Sequence, residues 1–507
     1  MTRDARAPRW LGRTVFALCL LTHIAIVLSL RVYPFVDLPF HLAAATIYHE
    51  SRNPNSLFLA YFSVRPLLLE PNVLHLLITG SPFNHALSVD MMNRLVLCGY
   101  VATLPMIMYA LIRRVGGNTW FALLVFPLIF NFNVAWGFVG FVMAVPLVLL
   151  LLYWVMGGDR YSRLTTALVC AGGLVLLFYT HVLAMLFATA VLVLSALLHR
   201  RNERMWWILP ALVPAIGLTC WWWLGRGAPS SESTLAFLAR YYRTEYFQHF
   251  VALRRRILTN DNTQIFAGAA GVAAALALSA PVVMPPLVAL ARHRQHVASL
   301  LAGTPRLVLG AFTLVAFGCC MLLPDRIPDQ TALYERFGVL LLLSMLLWSS
   351  ILYSRLSRRA AVALCVVALG STAVRVSYFE AFARDSSGFT ADLLPDGGSQ
   401  RTLVGLLYDE RFRGHPAYRH FPDYYITWRH GVAATELTQF RFGLVRANVQ
   451  GPAPPRFVAS PTALSVSEAK VDYLLVRGAV PAEAEIDRRF AAFAAAGGWY
   501  VYQNRVR

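Results

Sequence analysis

The chain leaves its first apolar run through Val32-Tyr33-Pro34-Phe35-Val36-Asp37-Leu38-Pro39-Phe40-His41, and this exit decides how the rest of the sequence is interpreted. Residues 16–30 before it are mainly apolar, and residues 32–93 separate them from the next clear apolar run. This interval is rich in titratable side chains, namely Asp37, His41, His49, Glu50, Glu70, His75, His85 and Asp90. A carboxylate held just outside the first span of a polytopic protein indicates chemistry at the membrane surface.

The composition indicates an integral membrane protein. Hydrophobic residues make up 57% of the 507 residues and charged residues only 14%, whereas soluble domains carry about 25% charged residues. The mean hydropathy is +0.54. Apolar runs of about 20 residues, the length that crosses about 30 Å of hydrocarbon, recur along most of the chain.

These runs predict an all-α polytopic protein with about eleven transmembrane helices. Two pairs of helices are joined by tight turns, at 131–137 and at 179–181. The predicted spans lie near 14–31, 94–112, 118–132, 137–156, 164–179, 182–198, 206–224, 265–290, 306–323, 336–353 and 359–378.

The placement of arginine predicts the orientation of these helices. Alternate span ends carry arginine clusters, while the opposite ends carry little net positive charge; the clusters include Arg3, Arg6, Arg9, Arg13, Arg113, Arg114, Arg160, Arg163, Arg200, Arg201, Arg292, Arg294, Arg355, Arg358 and Arg359. The positive-inside rule puts these clusters and the N-terminus in the cytoplasm, and the 32–93 loop, the 225–264 loop and residues 379–507 outside. The net charge of +19 therefore reflects topology and anionic lipid, not nucleic acid.

Residues 379–507 are more polar than the rest and predict a small C-terminal extracytoplasmic α/β domain. The pattern indicates a strand at 471–476, an amphipathic helix at 482–496 and a strand at 498–502. All seven cysteines fall in predicted spans, so neither a disulfide framework nor a thiolate zinc site is expected outside the membrane. The 225–264 loop, where tyrosines alternate with arginines, predicts an amphipathic helix lying in the membrane plane.

Asp37 has two interpretations. Asp is a favoured N-cap and Pro is tolerated in a first turn, so Asp37 can simply cap a helix that begins near Phe40. Alternatively, the same position holds a carboxylate where a lipid-borne substrate meets water. Asp37, His41 and His49 recur at helical spacing on one face, where they can bind a divalent cation, orient one another or face water.

Other polar side chains lie at the predicted outer ends of spans. A histidine between two apolar runs, such as His181, is costly unless it faces the protein interior or a cavity. Arginine at an outer end breaks the charge pattern and can hold a phosphate with two parallel hydrogen bonds, or can snorkel to lipid headgroups. The candidates are Asn131, His181, Glu335, Arg336 and Arg375.

Taken together, these features resemble the GT-C-type glycosyltransferases. The shared features are a cytoplasmic N-terminus, an Asp directly after the first span, a long first outer loop, many spans joined by tight turns, and a C-terminal extramembrane domain. Many members carry paired acids after the first span, whereas this chain has only Val36-Asp37-Leu38-Pro39. The resemblance implies a GT-C-like fold and a bacterial inner-membrane enzyme that moves a sugar from a polyprenyl-phosphate donor, with inversion, to an acceptor on the outer face.

The resemblance also implies roles for particular residues. Asp37 is expected to be the general base or to orient the acceptor, because glycosyl transfer needs a carboxylate within reach of the acceptor proton. Cations must stabilise the leaving phosphate, so Arg336, Arg375 or a divalent cation (Mg or Mn, with Asp37 and His41 as its ligands) is expected there. The expected substrate-binding residues are His41, His49, Glu50, Asn131, His181, Glu335, Arg336 and Arg375. The partners are the sugar donor, membrane lipids and a glycan, lipid or protein acceptor.

Several alternatives remain open from the sequence. One is a ligase or polymerase of lipid-linked glycans. Another is a transporter or flippase, which predicts functional polar residues near mid-membrane and repeat symmetry. A third is a non-catalytic scaffold that presents the C-terminal domain.

Overall fold

The computed structural model describes most of the chain outside the predicted 265–290 span. The described residues are 8–66, 70–81, 86–157, 161–199, 206–224, 234–246, 303–327, 330–398, 401–436, 443–455, 471–478 and 489–505.

Within these described residues, six helices are long and apolar enough to cross a membrane. They are Arg9–Ser29, Val89–Arg114, Arg163–Thr180, Thr304–Leu322, Leu333–Leu352 and Arg358–Asp385. Shorter apolar helical segments cover Thr119–Ala135, Val139–Val155, Val182–Leu198 and Ile208–Leu224. Apolar helical segments thus lie at every predicted span except 265–290, which is outside the described residues. The chain is a multi-pass membrane protein.

Two of the predicted turns interrupt helices. The segment Thr119–Ala135 consists of a 3-10 helix, Thr119–Val125, followed by the single helical turns Phe126–Ile129 and Phe132–Ala135. His181 has an extended backbone (φ −165°) and separates Arg163–Thr180 from Val182–Leu198. Its amide still bonds Leu177 and its carbonyl accepts from Met185, so the helical hydrogen-bond ladder is nearly continuous across the break.

The chain divides into two compact units. The first comprises Met1–Ile26, Cys98–Val134 and Gly140–Val376, and the second comprises Val27–Leu97, Ala135–Val139 and Ser377–Arg507. The second unit therefore combines the first outer loop and a five-residue strip, Ala135–Val139, with the C-terminal segment.

Aromatic side chains pack the helices of the first unit together. Phe187 lies 5.7 Å from Phe312 and 5.6 Å from Phe337, and Phe337 in turn meets Phe141 edge-on at 5.6 Å. These rings join Val139–Val155, Val182–Leu198, Thr304–Leu322 and Leu333–Leu352. Each such pair contributes about 0.5–1.5 kcal/mol beyond simple burial.

Part of the predicted amphipathic helix in the 225–264 loop is described. Thr234–Thr244 is helical, and the hydroxyl of Tyr246 just after it donates to the carbonyl of Met321 at 2.7 Å. The remainder of that loop lies outside the described residues.

The second unit contains a five-stranded mixed sheet. Its strand order is Val432–Ala433, Thr402–Leu407, Tyr473–Arg477, Trp499–Asn504 and Phe490–Ala496. Thr402–Leu407 runs parallel to both of its neighbours, and the last two pairings are antiparallel. The core packed on this sheet includes Val404, Leu406, Leu474, Val476 and Phe490.

The helix predicted over 482–496 is wrong where the structure describes it. Phe490–Ala496 is a strand that pairs with Trp499–Asn504. Gly497 and Gly498 both have positive φ, at 54° and 79°, and form the two-residue turn that right-twisted hairpins favour. Alanine-rich sequence prefers helix only weakly, and pairing with an adjacent strand outweighs that preference.

A salt bridge fixes the last long helix to the sheet. Arg477, in the central strand, donates to Asp385 at 2.7 Å, and Tyr418 also donates its hydroxyl to that carboxylate. The guanidinium lies 3.9 Å above the ring of Tyr418 and 4.8 Å from that of Trp499. These contacts hold residues 415–429, which carry the main candidate site, against the sheet.

Candidate functional site

The backbone at Asp37 is held by a strip of chain from between two helices. The amides of Val36 and Asp37 donate to the carbonyls of Ala135 and Trp136 at 3.1 and 3.0 Å. The carbonyl of Ala135 also accepts a hydrogen bond from Nε2 of His415 at 3.0 Å. The strip therefore ties the first outer loop and the C-terminal segment to the same two peptide groups.

The side chain of Asp37 is not used to cap the helix that follows. That helix is Leu38–Glu50, and within the described segment 8–66 the Asp37 side chain makes no capping hydrogen bond to it. Asp37 has α-region dihedrals (φ −88°, ψ −1°) rather than the extended ones usual at an N-cap. Pro39 occupies one of the two positions whose amide a cap accepts, and proline has no amide hydrogen. The capping interpretation is therefore wrong.

The Asp37 carboxylate instead faces a buried imidazole. Oδ1 of Asp37 lies 3.6 Å from Nε2 of His420, and Oε2 of Glu436 lies 4.0 Å from the same nitrogen. Nδ1 on the opposite side of the ring lies 3.7 Å from Oδ2 of Asp423. The His420 side chain is 3% exposed, whereas those of Asp37 and Glu436 are 30% and 29% exposed. Two partly exposed carboxylates thus converge on one buried ring.

Arg419 supplies the positive charge beside these carboxylates. Its guanidinium makes two parallel hydrogen bonds to Glu410, both 3.1 Å long, and this planar pairing fixes its orientation. Burial alone lowers the pKa of Arg419, but the hydrogen bond to Glu410 and the charges of Glu410, Glu436 and Asp37 outweigh burial and raise it. Arg419 therefore remains a cation next to the site.

Burial sets the protonation of the inner groups. It lowers the pKa of His420 to about 3, with a further lowering from the charge of Arg419. It raises the pKa of Asp423 well above the usual range, although a hydrogen bond from Thr435 opposes this shift. Burial also raises the pKa of Glu436, against the effect of Arg419. These pKa shifts leave His420 neutral beside the carboxyl group of Asp423, which has a raised affinity for a proton.

Sequence reasoning missed every partner of Asp37 in this cluster. The signal was present in the segment 417–428, where Arg419, His420 and Asp423 stand among three tyrosines, a phenylalanine and a tryptophan. Charged or titratable side chains in such an aromatic run are expensive to bury unless they serve one another or a ligand. Their distance from Asp37 along the chain hid the connection.

His41, His49 and Glu50 do not join Asp37. The ring of His41 meets that of His75 edge-on at 5.9 Å, and Nδ1 of His49 lies 3.2 Å from the carbonyl oxygen of Ser81. Along the 13-residue helix, Asp37 and His49 are separated by about 18 Å. In the described part of the chain, no group of three His, Cys, Asp or Glu side chains has the geometry of a metal site. The role of Asp37 and His41 as ligands of a Mg or Mn ion stays a prediction.

A pocket of about 420 Å³ opens at the far end of the same helix. His49 and Glu50 line it, together with Asp90, Trp428, His430 and several hydroxyl-bearing residues. Two of the residues predicted to bind substrate therefore share a pocket, at the opposite end of the helix from Asp37.

A second polar group lies in the first unit. Nη1 of Arg336 lies 3.1 Å from Nε2 of His181, and its Nε and Nη2 donate to the carbonyls of Ala332 and Thr331 at 3.1 and 3.3 Å. Asn133 donates to the carbonyl of Arg336 at 3.1 Å. The structure thus brings together the predicted residues His181 and Arg336. Glu335 is adjacent in sequence and 7% exposed.

The side chains of Asn131 and Arg375 both make hydrogen bonds to backbone carbonyl groups. The Asn131 amide nitrogen lies within hydrogen-bond distance of the Tyr100 hydroxyl and the Leu128 carbonyl, and its oxygen accepts from the amide of Asn133, so it closes the turn. Arg375 is 4% exposed and donates to the carbonyl of Pro127 at 3.2 Å. The helix continues to Asp385, so Arg375 does not end it, and the snorkelling interpretation of Arg375 is wrong.

The fold matches solved structures of ArnT from Cupriavidus metallidurans. The apo structure superposes with a TM-score of 0.51 over 97% of both chains, at 12% sequence identity. The structure bound to undecaprenyl phosphate gives a TM-score of 0.50 over 98% of both chains, at 11% identity. The chain has a GT-C-like architecture. No protein-family model matches the sequence, and no curated protein matches it.

The GT-C resemblance expected from the sequence is confirmed, and it extends over nearly the whole chain. Since the likeness is one of fold, the roles of individual residues depend on the geometry of this chain alone.

Gly137 provides a test of how Asp37 is placed. Gly137 has φ +75°, and a Cβ there would lie 2.7 Å from the backbone nitrogens of Asp37 and Leu38. We expect Gly137→Ala to displace Asp37, and to cost about 1–3 kcal/mol in backbone strain as well. Gly116→Ala is a matched control, because Gly116 has φ +74° and nothing within 4 Å of the added Cβ. Thermal melting in detergent should show a larger loss for Gly137→Ala; equal losses would contradict the proposed steric contact.

His420 predicts a particular acid sensitivity. Its folded-state pKa of about 3 lies below the 6.5 of an ordinary histidine, so the unfolded chain takes up a proton that the folded chain refuses. Stability is therefore lost as the pH falls from about 6.5 to about 3, at up to about 1.4 kcal/mol per pH unit. His420→Gln should reduce the drop in melting temperature between pH 7 and pH 5, whereas His430→Gln, at an exposed histidine, should not. An unchanged drop in His420→Gln would show that His420 is not the buried neutral group.

Proposed function

We propose that this protein is a membrane glycosyltransferase that moves a sugar from a polyprenyl-phosphate donor to an acceptor outside the cytoplasm. The observation that carries the proposal is the position of the Asp37 carboxylate. It does not cap the following helix, and it lies next to the buried ring of His420, with Glu436 and Arg419 nearby. The GT-C-like fold supports it, since one of the matching ArnT structures has undecaprenyl phosphate bound. The arginine distribution supports an outer location for the site.

In the proposed reaction the acceptor hydroxyl attacks the anomeric carbon of the sugar. The bond from that carbon to the phosphate oxygen breaks, and its electron pair leaves with the polyprenyl phosphate, which gives inversion at the anomeric centre. Asp37 takes the hydroxyl proton as the new glycosidic bond forms and later releases it to water. A carboxylate is suited to this step because it accepts a proton only as the oxocarbenium-like centre makes the hydroxyl acidic.

His420 and Asp423 act as positioning residues in this proposal. With the proton of the pair on Asp423, Nδ1 of His420 accepts and Nε2–H points to the carboxylates of Asp37 and Glu436. The present distances of 3.6 and 3.7 Å are longer than hydrogen bonds. A shift of about 0.5 Å or more on substrate binding closes them, as is common when catalytic contacts tighten.

Among the described residues, the cation beside the Asp37 cluster is an arginine. Charge compensation at this carboxylate cluster comes from Arg419. In the first unit, Arg336 is the candidate for the donor phosphate. Its contacts to His181, Ala332 and Thr331 fix the orientation of the guanidinium. Arg375 is buried and donates to the carbonyl of Pro127, and this contact does not support a phosphate role.

The central test is Asp37→Asn. Asn caps helices as well as Asp does, so this substitution removes the charge and keeps any local structural role. We expect lipids that co-purify with the parent to include a polyprenyl-phosphate sugar by mass spectrometry. The variant should fold normally, should retain this lipid in greater amount, and should fail to consume it in membrane preparations. Full consumption by Asp37→Asn would remove Asp37 as the base, and the absence of any polyprenyl lipid would oppose the donor class.

Arg336→Lys tests the donor site. Lysine keeps the charge but not the planar set of donors, so a phosphate role predicts weaker activity at subsaturating donor. Loss of a hydrogen bond to a charged partner costs about 1.5–3 kcal/mol, or roughly ten- to hundredfold. Arg326→Lys, at an exposed arginine in the preceding hairpin, is the control. The phosphate role requires a raised KM for the donor with a melting temperature near that of the parent; activity equal to the parent would exclude it.

A further inference from the structure

The pocket at the C-terminal end of helix Leu38–Glu50 has the makings of a binding site that the reaction at Asp37 does not use. Its volume of about 420 Å³ lies within the range of about 300–1,000 Å³ typical of small-ligand sites. It is built entirely from the second unit. Its polar walls come from the helix end, from the start of Val89–Arg114 and from the segment Thr427–His430.

The charges on its walls select against phosphate. The lining residues include two carboxylates, Glu50 and Asp90, and two imidazoles, His49 and His430, and none of them is lysine or arginine. Anion sites need cations or convergent amides. A ligand that offers hydroxyl donors to carboxylates, and acceptors to imidazoles and serine hydroxyls, matches these walls instead.

Several of these groups are already held in place. Trp428 donates its indole N–H to Asp90 at 2.6 Å, and its ring stacks on that of Tyr424 at 4.4 Å. Nδ1 of His49 lies 3.2 Å from the carbonyl oxygen of Ser81, and Nδ1 of His430 lies 3.9 Å from Oε1 of Glu50. Fixed polar groups beside an indole lose little entropy when a ligand binds.

The helix sets the distance from this pocket to Asp37. The first and last of its 13 residues are twelve steps of about 1.5 Å apart, which places the two helix ends about 18 Å from each other. That is too far for a single sugar to touch both ends. A ligand in the pocket is therefore either unrelated to the reaction or the remote part of an extended molecule.

We infer that the pocket lined by His49, Glu50, Asp90 and His430 binds an uncharged saccharide unit. Its assignment as the remote part of a glycan acceptor rests on the proposed function, whereas saccharide binding itself does not. The acceptor class is then an oligosaccharide-bearing molecule and not a protein side chain.

The test is saturation-transfer NMR on the full chain in a detergent without a sugar headgroup. The probes are the methyl glycosides of glucose, galactose and mannose and free N-acetylglucosamine, with glucose 1-phosphate as the anionic comparison. We expect saturation transfer from the protein to at least one neutral sugar, and weaker saturation transfer to glucose 1-phosphate. Glu50→Gln and His430→Ala should each weaken binding by about tenfold, the cost of one hydrogen bond to a charged or strongly polar group.

Two controls separate this inference from the proposed reaction. Asp409→Asn, at an exposed carboxylate outside the pocket, and Asp37→Asn should both leave sugar binding unchanged. Sugar binding by a parent protein that neither co-purifies with nor consumes a polyprenyl-phosphate sugar would leave the subsite standing and the proposed function refuted. Three results would overturn the inference. The first is no saturation transfer to any of the four neutral sugars, and the second is saturation transfer that Glu50→Gln and His430→Ala do not change. The third is stronger binding of glucose 1-phosphate.

Discussion

The hydrogen bonds from Val36 and Asp37 to the carbonyls of Ala135 and Trp136 are the constraint on which the candidate site depends. They take the backbone of Asp37 out of the conformation that a capping residue adopts. Together with Pro39, they leave the carboxylate without a capping hydrogen bond to the helix that follows. The carbonyl of Ala135 also receives His415, so the same two peptides bring the C-terminal segment alongside. A hydrogen bond contributes only about 0.5–1.5 kcal/mol net, but three that share two peptides fix a position more than they add stability.

Burial is what distinguishes the inner groups of this site from its outer ones. His415 and His420 both have a pKa lowered chiefly by burial, to about 4 and about 3, and so both rings are neutral at pH 7. For His415 this fixes Nε2 as the donor to Ala135. For His420 it makes the ring a dipole between carboxyl groups instead of a competing cation. A charged imidazole there would pair with Asp37 and weaken it as a proton acceptor.

The helix Leu38–Glu50 separates two kinds of polar chemistry. Its N-terminal end lies beside Arg419, where a negative charge on Asp37 meets both a cation and the positive end of the helix dipole. The walls at its C-terminal end are acidic or neutral. The Asp37 carboxylate and the pocket can therefore belong to one helix without disturbing each other, because charges about 18 Å apart are largely screened in water.

The sequence predicted those features that depend on local pattern. Spans followed from apolar runs, and the break at His181 followed from a polar residue between two such runs. Contacts between distant segments left no local trace. His420 lies nearly four hundred residues from Asp37 along the chain, and the two meet only in the folded second unit.

The hairpin at the C-terminal end shows the same limit in secondary structure. The segment 490–496 reads as helix because alanine is the best helix former, yet the advantage of alanine over most residues is at most about 0.7 kcal/mol per position. Each residue of Phe490–Ala496 that pairs with Trp499–Asn504 instead satisfies backbone groups and covers the edge of a sheet. Gly497-Gly498 was the local sign of this outcome, because a two-residue turn of positive φ commits the flanking residues to antiparallel pairing. A short, specific turn signal thus outweighed a longer propensity signal, since the turn determines which partner the segment meets.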